Sequence, residues 1–246
     1  MHSRSTSGIG RPKKRTMKIS ASLPIEIVSS SESHQLAEKL IETLLHHVRN
    51  GVKTIFIPGG QSILPFYNSL ENRMKEFKEA QFCLTDERMV PILDPASNEG
   101  QIQRSFPQLY AQLISFHQAD FVDFLTAIQQ HDFINILGCG SDGHFASLFP
   151  TDEKALQSDL CHSFRKSDEN FHRHSLGYKF ILQSKEILIW ICGAEKGILG
   201  RYIKEGDLSI PFVKLLHERK NLNHPITLYA DDSARGGFEN QWSNAN

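Results

Sequence analysis

Phe133-Ile134-Asn135-Ile136-Leu137-Gly138-Cys139-Gly140-Ser141-Asp142-Gly143-His144 is the stretch on which the reading of the fold turns. An almost unbroken apolar run of five residues ends in glycines and then in ionisable side chains. Runs of this length bounded by glycine read as strands buried on both faces. Just upstream, Phe121, Phe124, Leu125 and Ile128 recur at helical spacing. The segment therefore predicts helix, buried strand, polar loop. Working outward, the same order repeats. Thr54-Ile55-Phe56-Ile57 breaks at Pro58-Gly59-Gly60, and Gln81-Phe82-Cys83-Leu84-Thr85 runs into Asp86-Glu87-Arg88. Ile187–Cys192 runs into Gly193-Ala194-Glu195-Lys196, and Ile226–Tyr229 precedes Asp231-Asp232. Helical stripes lie over 36–48 and 63–74, the first with a capping box at Ser29 and Glu32 and a stop at Asn50-Gly51. Strands alternating with helices predict an α/β fold, a single Rossmann-like domain with a mainly parallel sheet and helices on both faces. In such a sheet the carboxyl ends of the strands share one edge, where ligands bind. The four polar motifs are thus expected to meet in one pocket.

Composition narrows the function. The 246 residues carry a formal net charge of −1, but six of the 27 basic groups lie in the first 18 residues, which contain no acid. The other 228 residues hold 21 basic against 28 acidic groups, a net of −7. That body does not carry the positive surface of a nucleic-acid-binding fold. No apolar run approaches the roughly 18–20 residues that span a bilayer, so no membrane partner is expected. Residues 1–18 read as a solvated basic tail without the apolar core of a secretory signal, and Met17 offers an alternative start; residues 19–246 form the domain. Cys83, Cys139, Cys161 and Cys192 are scattered without a CxxC pair and read as buried thiols of a cytoplasmic protein.

Individual residues carry the chemistry. Gly59, Gly60, Gln61 and Ser62 follow a strand, where glycines serve either a tight turn or the close approach of backbone N–H groups to an anion. Neither GxGxxG nor GxxxxGK[ST] is present, so no nucleotide cofactor is implied. Arg88 and Lys196 are cations on the expected ligand edge, suited to a phosphate; Arg173 lies in a polar stretch with no such local argument. His144 is the candidate general base, because imidazole exchanges protons near neutral pH. Asp142, two residues earlier, is placed to orient it. His46-His47 and His172-Arg173-His174 lack a metal-ligand pattern, HExxH is absent, and no cofactor or metal is expected. There is no Gly-x-Ser-x-Gly elbow for a serine hydrolase.

With these residues in view, the chain resembles the 6-phosphogluconolactonase family, itself related to glucosamine-6-phosphate isomerase/deaminase. The resemblance runs from about Ile25 to Ala234. It is carried first by GCGSDGHFASLFP (Gly138–Pro150), then by DERMVPILDPASNEG (Asp86–Gly100). The Gly-Gly loop, Arg173–Leu176, Gly193-x-x-Lys196 and Asp231 match less specifically. The resemblance implies metal-free hydrolysis of a sugar-phosphate lactone, with His144 as base supported by Asp142. Arg88, Arg173, Lys196, the Gly59–Ser62 loop and Asp86 would hold the substrate. Two stretches depart from the family. Pro58-Gly59-Gly60-Gln61-Ser62-Ile63 stands where Ser-Gly-Gly-Ser-Thr-Pro is usual, and Gly177-Tyr178-Lys179 replaces a Thr-Leu-Pro continuation after Arg173. The deaminase branch reads Asp-Glu-Tyr and Asn-Glu-Pro where this chain has Asp86-Glu87-Arg88 and Ser147-Leu148-Phe149-Pro150, which favours the lactonase over a deaminase. A non-catalytic sugar-phosphate binder is the third reading.

Overall fold

The computed structural model describes residues 25–224 and 226–243; the basic tail lies outside the described residues. Seven strands form one sheet: β1 (Ile25–Ser30), β2 (Thr54–Ile57), β3 (Gln81–Leu84), β5 (Leu113–Ile114), β6 (Phe133–Gly138), β9 (Glu186–Ile191) and β10 (Ile226–Asp231). Their order is β1-β10-β9-β6-β2-β3-β5, and every neighbouring pair is parallel. The remaining strands, β4 (Asp86–Arg88), β7 (Cys161–Phe164) and β8 (Arg173–Leu176), make a separate antiparallel sheet in the order β4-β8-β7.

All four residues of β2 and the first five of β6 are buried. Successive strand side chains point to opposite faces, so both faces are covered. The helices that cover them are α1 (Ser33–Arg49), α2 (Leu64–Arg73), α3 (Asn98–Ser105), α4 (Pro107–Tyr110), α5 (Phe121–Ile128), α6 (Tyr178–Leu182), α7 (Ile198–Glu205), α8 (Pro211–Asn221) and α9 (Asp232–Ser243). Helices α1 to α4 pack as one group, and α6 to α9 as another. The apolar stripe of α1 buries Leu36, Ala37, Leu40, Ile41, Leu44 and Leu45. Among the described residues, no helix is long and apolar enough to cross a membrane.

The sheet order matters for function. The chain lays β2 and β3 in one direction from the middle of the sheet, then returns so that β6, β9 and β10 build the other half. The winding therefore reverses between β2 and β6, and the crevice at their carboxyl ends is where an open parallel sheet binds ligands. The four strands β9-β6-β2-β3 are consecutive neighbours across that point. They are the strands whose ends carry the polar motifs.

Some expectations need correction. The capping box does not form: Glu32 is the N-cap of α1 without a side-chain cap bond, and Ser29 belongs to β1. Asp86–Arg88 is not loop but strand, because β8 supplies a hydrogen-bonding partner remote in sequence. Strands β1, β5, β7 and β8 were not foreseen; β5 is only two residues long, and β1, β7 and β8 are only partly apolar. All four cysteines are free, but only Cys83 and Cys139 are buried. Cys192 follows its apolar strand by one residue and is half-buried.

In the core, Phe133 and Phe180 stack at 4.7 Å between centroids, and Phe56 meets both rings edge-on at 5.4 and 5.6 Å. Phe180→Ala is expected to cost about 3–5 kcal/mol. Urea unfolding should show this as a lower midpoint at an unchanged slope.

Candidate active site

A cleft of about 220 Å³ lies at the switch point, lined by Gly59, Gly60, Ser62, Asp86, Arg88, Gly140, His144, Arg173 and Lys196 together with Pro58, Asn98, Gly138, Cys139 and Ala146. Segments separated by dozens of residues thus converge, as the strand ends require. One expected residue stands differently. Gln61 is exposed and does not line the cleft. It sits on the outer side of a turn whose Ser62 carbonyl is drawn inward by the buried Trp190 Nε1–H at 2.8 Å. Asp142 lies behind His144 and contacts it instead of the cleft.

The turn after β2 is held at both ends, since the Tyr67 hydroxyl donates to the Pro58 carbonyl. Gly59 is required here by space. A Cβ at this position would stand 2.2 Å from the Asn98 amide, which packs directly beneath.

The His144 loop closes on itself through Gly140 N–H to the His144 carbonyl, 2.8 Å, and Gly143 N–H to the Gly140 carbonyl, 3.0 Å. Asp142 Oδ1 lies 2.5 Å from His144 Nδ1 and also accepts the His144 backbone N–H at 3.2 Å. The bond engages Nδ1 and leaves Nε2 as the free ring nitrogen. Partial burial pushes the Asp142 carboxyl up, but the hydrogen bond and charge of His144 outweigh it and hold the pKa at about 2. The Asp142 carboxylate therefore stays ionised beside the ring across the neutral range. Ala146, on the cleft wall, has φ +48°, a left-handed conformation that L residues rarely adopt.

Arg88 and Arg173 are direct partners in the antiparallel pairing of β4 and β8. This supplies the argument for Arg173 that its local sequence lacked. Arg88 Nη1 donates to the Ala96 carbonyl at 2.8 Å. Arg173 is gripped by Glu169 through Nε and Nη2 at 2.8 and 2.5 Å, and the fork holds the Glu169 carboxyl below its usual range. Lys196 sits on a turn anchored from β10, where Asp231 Oδ2 accepts the Gly193 N–H at 2.9 Å. Its ammonium is 3.7 Å from Glu195. Asp86, buried in the cleft wall, accepts the Ser147 hydroxyl at 2.6 Å.

Sequence reasoning missed the residue that assembles this corner. Glu87 is fully buried and accepts N–H bonds from Arg88 (2.6 Å), Asn98 (2.8 Å) and Glu99 (2.7 Å), and the Ser97 hydroxyl at 3.2 Å. Burial pushes its carboxyl up, and the backbone donors partly reverse this. The carboxylate caps the first turn of α3 from outside the helix, and so fixes Arg88 and Asn98 against each other. Asn98 was also missed as a wall residue; its Nδ2 donates to the Asp86 carbonyl at 2.9 Å. A short motif such as Asp-Glu-Arg shows that a Glu is present, not which helix it caps.

Glu87, Glu99 and His117 are the one group among the described residues whose acidic and imidazole atoms approach as metal ligands do, within 4.8 Å of one another. Both Glu87 oxygens already take two donors each. A larger hollow of about 480 Å³, lined by His117, Cys161, His162 and His174 among others, collects none of the strand-end motifs apart from His174 beside Arg173.

Because the Asp142 pKa lies below the ordinary 3.8, its ion pair contributes stability above about pH 4 and loses it as pH falls towards 2. Solvent screening at this half-exposed site limits the contribution to about 1 kcal/mol. Urea unfolding from pH 5 to pH 2 should show wild type losing this increment relative to Asp142→Asn; parallel curves would show that the pair adds nothing.

Comparison with known proteins agrees with this geometry. A family profile described as glucosamine-6-phosphate isomerases/6-phosphogluconolactonase matches residues 29–222. The chain is similar to a 6-phosphogluconolactonase of Borreliella burgdorferi, 29% identical over 236 residues, covering 86% of this chain and 100% of that one. The fold matches a crystal structure of a 6-phosphogluconolactonase from Shewanella baltica, with TM-score 0.69 and 21% identity over 84% of this chain and 97% of that one. It matches a monomeric glucosamine-6-phosphate deaminase equally well, with TM-score 0.69 and 17% identity over 86% and 99% of the two chains. The matched segment contains every strand-end motif that lines the cleft. The chain therefore belongs to the glucosamine-6-phosphate isomerase/6-phosphogluconolactonase family.

Proposed function

We propose that this protein is a 6-phosphogluconolactonase that hydrolyses 6-phosphoglucono-1,5-lactone to 6-phosphogluconate, the second step of the oxidative pentose phosphate pathway. The observation that carries the reading is a His–Asp pair at the mouth of a cleft whose other walls present Arg88, Arg173 and Lys196. One end of that cleft suits a base and an electrophile, the other a phosphate dianion. Arg-for-Tyr in the Asp86-Glu87-Arg88 motif favours the lactonase over the deaminase, which the shared fold does not distinguish.

His144 Nε2 takes a proton from water as the oxygen attacks the C1 carbonyl. The tetrahedral adduct collapses with cleavage of the bond from C1 to the ring oxygen, and the imidazolium returns its proton to that oxygen. Water adds across the ester and His144 ends neutral, so one turnover needs no other co-reactant. Asp142 holds the ring through Nδ1 and stabilises the imidazolium between the two proton transfers. Arg88, Lys196 and the N–H groups of the Gly59–Ser62 turn take the phosphate, with Arg173 offering Nη1, the nitrogen that Glu169 leaves open. The four free thiols and the acidic body fit a reducing cytosol, where we place the enzyme.

Purified protein should hydrolyse freshly generated 6-phosphogluconolactone faster than the spontaneous rate, with no effect of EDTA. His144→Ala should lower kcat by at least about 10²-fold, and near-wild-type turnover would remove His144 from the mechanism. Lys196→Ala should chiefly raise KM, as expected for a contact made equally to substrate and transition state. Ammonia release from glucosamine-6-phosphate without lactonase activity would overturn the assignment.

A further inference from the structure

A hydrogen bond from a carboxylate holds an imidazole plane only as firmly as that carboxylate is itself held. Asp142 holds Nδ1 of His144, yet its own side chain is 54% exposed; the loop backbone is tied by the Gly140 N–H to the His144 carbonyl and by the Phe212 N–H to the Gly143 carbonyl, but neither bond holds the ring. Movement of that carboxylate would let the ring turn about Cβ–Cγ and swing Nε2 away from the reacting carbon. Two surfaces remove that freedom. On one side stands Gly140, where a Cβ would come within 2.3 Å of the ring atoms Nδ1 and Cε1. The imidazole also meets the ring of Phe149, 4.5 Å between centroids with the planes inclined by 33°. Phe149 is only 4% exposed and packs against Phe164 at 5.4 Å. It is therefore a wall anchored in the body.

We propose that Phe149 is a positioning residue for His144, holding the imidazole plane so that Nε2 faces the substrate carbonyl. The assignment rests on His144 being the base. The ring also acts electrostatically. Lys166 Nζ lies 4.3 Å from its centroid and the Arg173 guanidinium 5.8 Å. Protonation of His144 during turnover brings a further cation to the same aromatic ring, whose negative face attracts cations. The charged groups around the imidazole are Asp142 from its own loop, Asp86 and Arg88 from β4, Arg173 from β8, Lys196 after β9, and Lys166 across the Phe149 ring. Four are cations, so loss of the aromatic face disfavours the imidazolium.

The test compares Phe149→Leu, Phe149→Tyr and His144→Ala by steady-state kinetics with the phosphogluconolactone, at several pH values. Phe149→Leu should lower kcat about 10-fold while KM stays within about twofold, and should move the acidic limb of kcat/KM down by about half a pH unit. Phe149→Tyr, which keeps the ring, should restore both. Wild-type kcat and an unmoved limb in Phe149→Leu would overturn the proposal, as would equal losses in the Leu and Tyr variants. If circular dichroism shows Phe149→Leu unfolded, Phe149→Met, unbranched and without a ring, is judged by the same outcomes. An active His144→Ala would sink the base assignment itself. An inactive His144→Ala beside a wild-type-like Phe149→Leu would sink only the role of Phe149.

Discussion

The parallel pairing of β2 with β6 sets where the cleft can form. It is the seam where the chain reverses its direction of winding, so the loops leaving these two strands diverge and open a crevice between them. Every group that can do chemistry here reaches the cleft because its strand ends on the same edge. The glycine-rich turn after β2 and the His144 loop after β6 face each other directly across the seam. Strands β3 and β9, one step out on each side, bring the Arg88 and Lys196 segments. A slip of one residue along this seam would mismatch side chains buried on both faces and shift the two strand-end loops past each other.

The second sheet is a device for bringing cations together. Arg88 and Arg173 are like charges placed opposite each other, a pairing that opposes folding unless something answers it. Glu169 answers on the Arg173 side with a two-point fork, and Asp86 lies two pairs along the ladder. Glu87 then ties the strand to the first turn of α3 through donors that are mostly backbone N–H groups. Its charge is accommodated in the interior because each oxygen has two donors, which is the condition under which a buried carboxylate is tolerated. The result is a rigid corner with guanidinium groups held in place before any ligand arrives.

Charge balance takes on a local meaning in this setting. A body with a net of −7 repels anions at long range, yet the cleft concentrates Arg88, Arg173 and Lys196 within a few side-chain lengths. Partial desolvation makes each of those charges count for more than it would on the open surface. Fixed cations and an imidazole flanked by Gly140 and Phe149 share a logic: the geometry is settled during folding, so little must be ordered when a ligand binds.

Much of this was legible in the chain alone. The alternation of apolar runs and helical stripes determined the parallel sheet, because side-chain burial has a period that the sequence displays. The position of glycines and charges just after those runs determined that Gly59, Arg88, His144 and Lys196 would share an edge. What the linear pattern could not carry was pairing between remote segments. The strand character of Asp86–Arg88 and the place of Arg173 beside Arg88 exist only because β4 and β8 hydrogen-bond to each other. The capping of α3 by Glu87, the outward position of Gln61 and the slot formed by Gly140 and Phe149 were likewise decided by tertiary structure. Periodicity reports which face of an element is buried; which remote group satisfies a given donor, or flanks a given ring, is settled only when the elements pack.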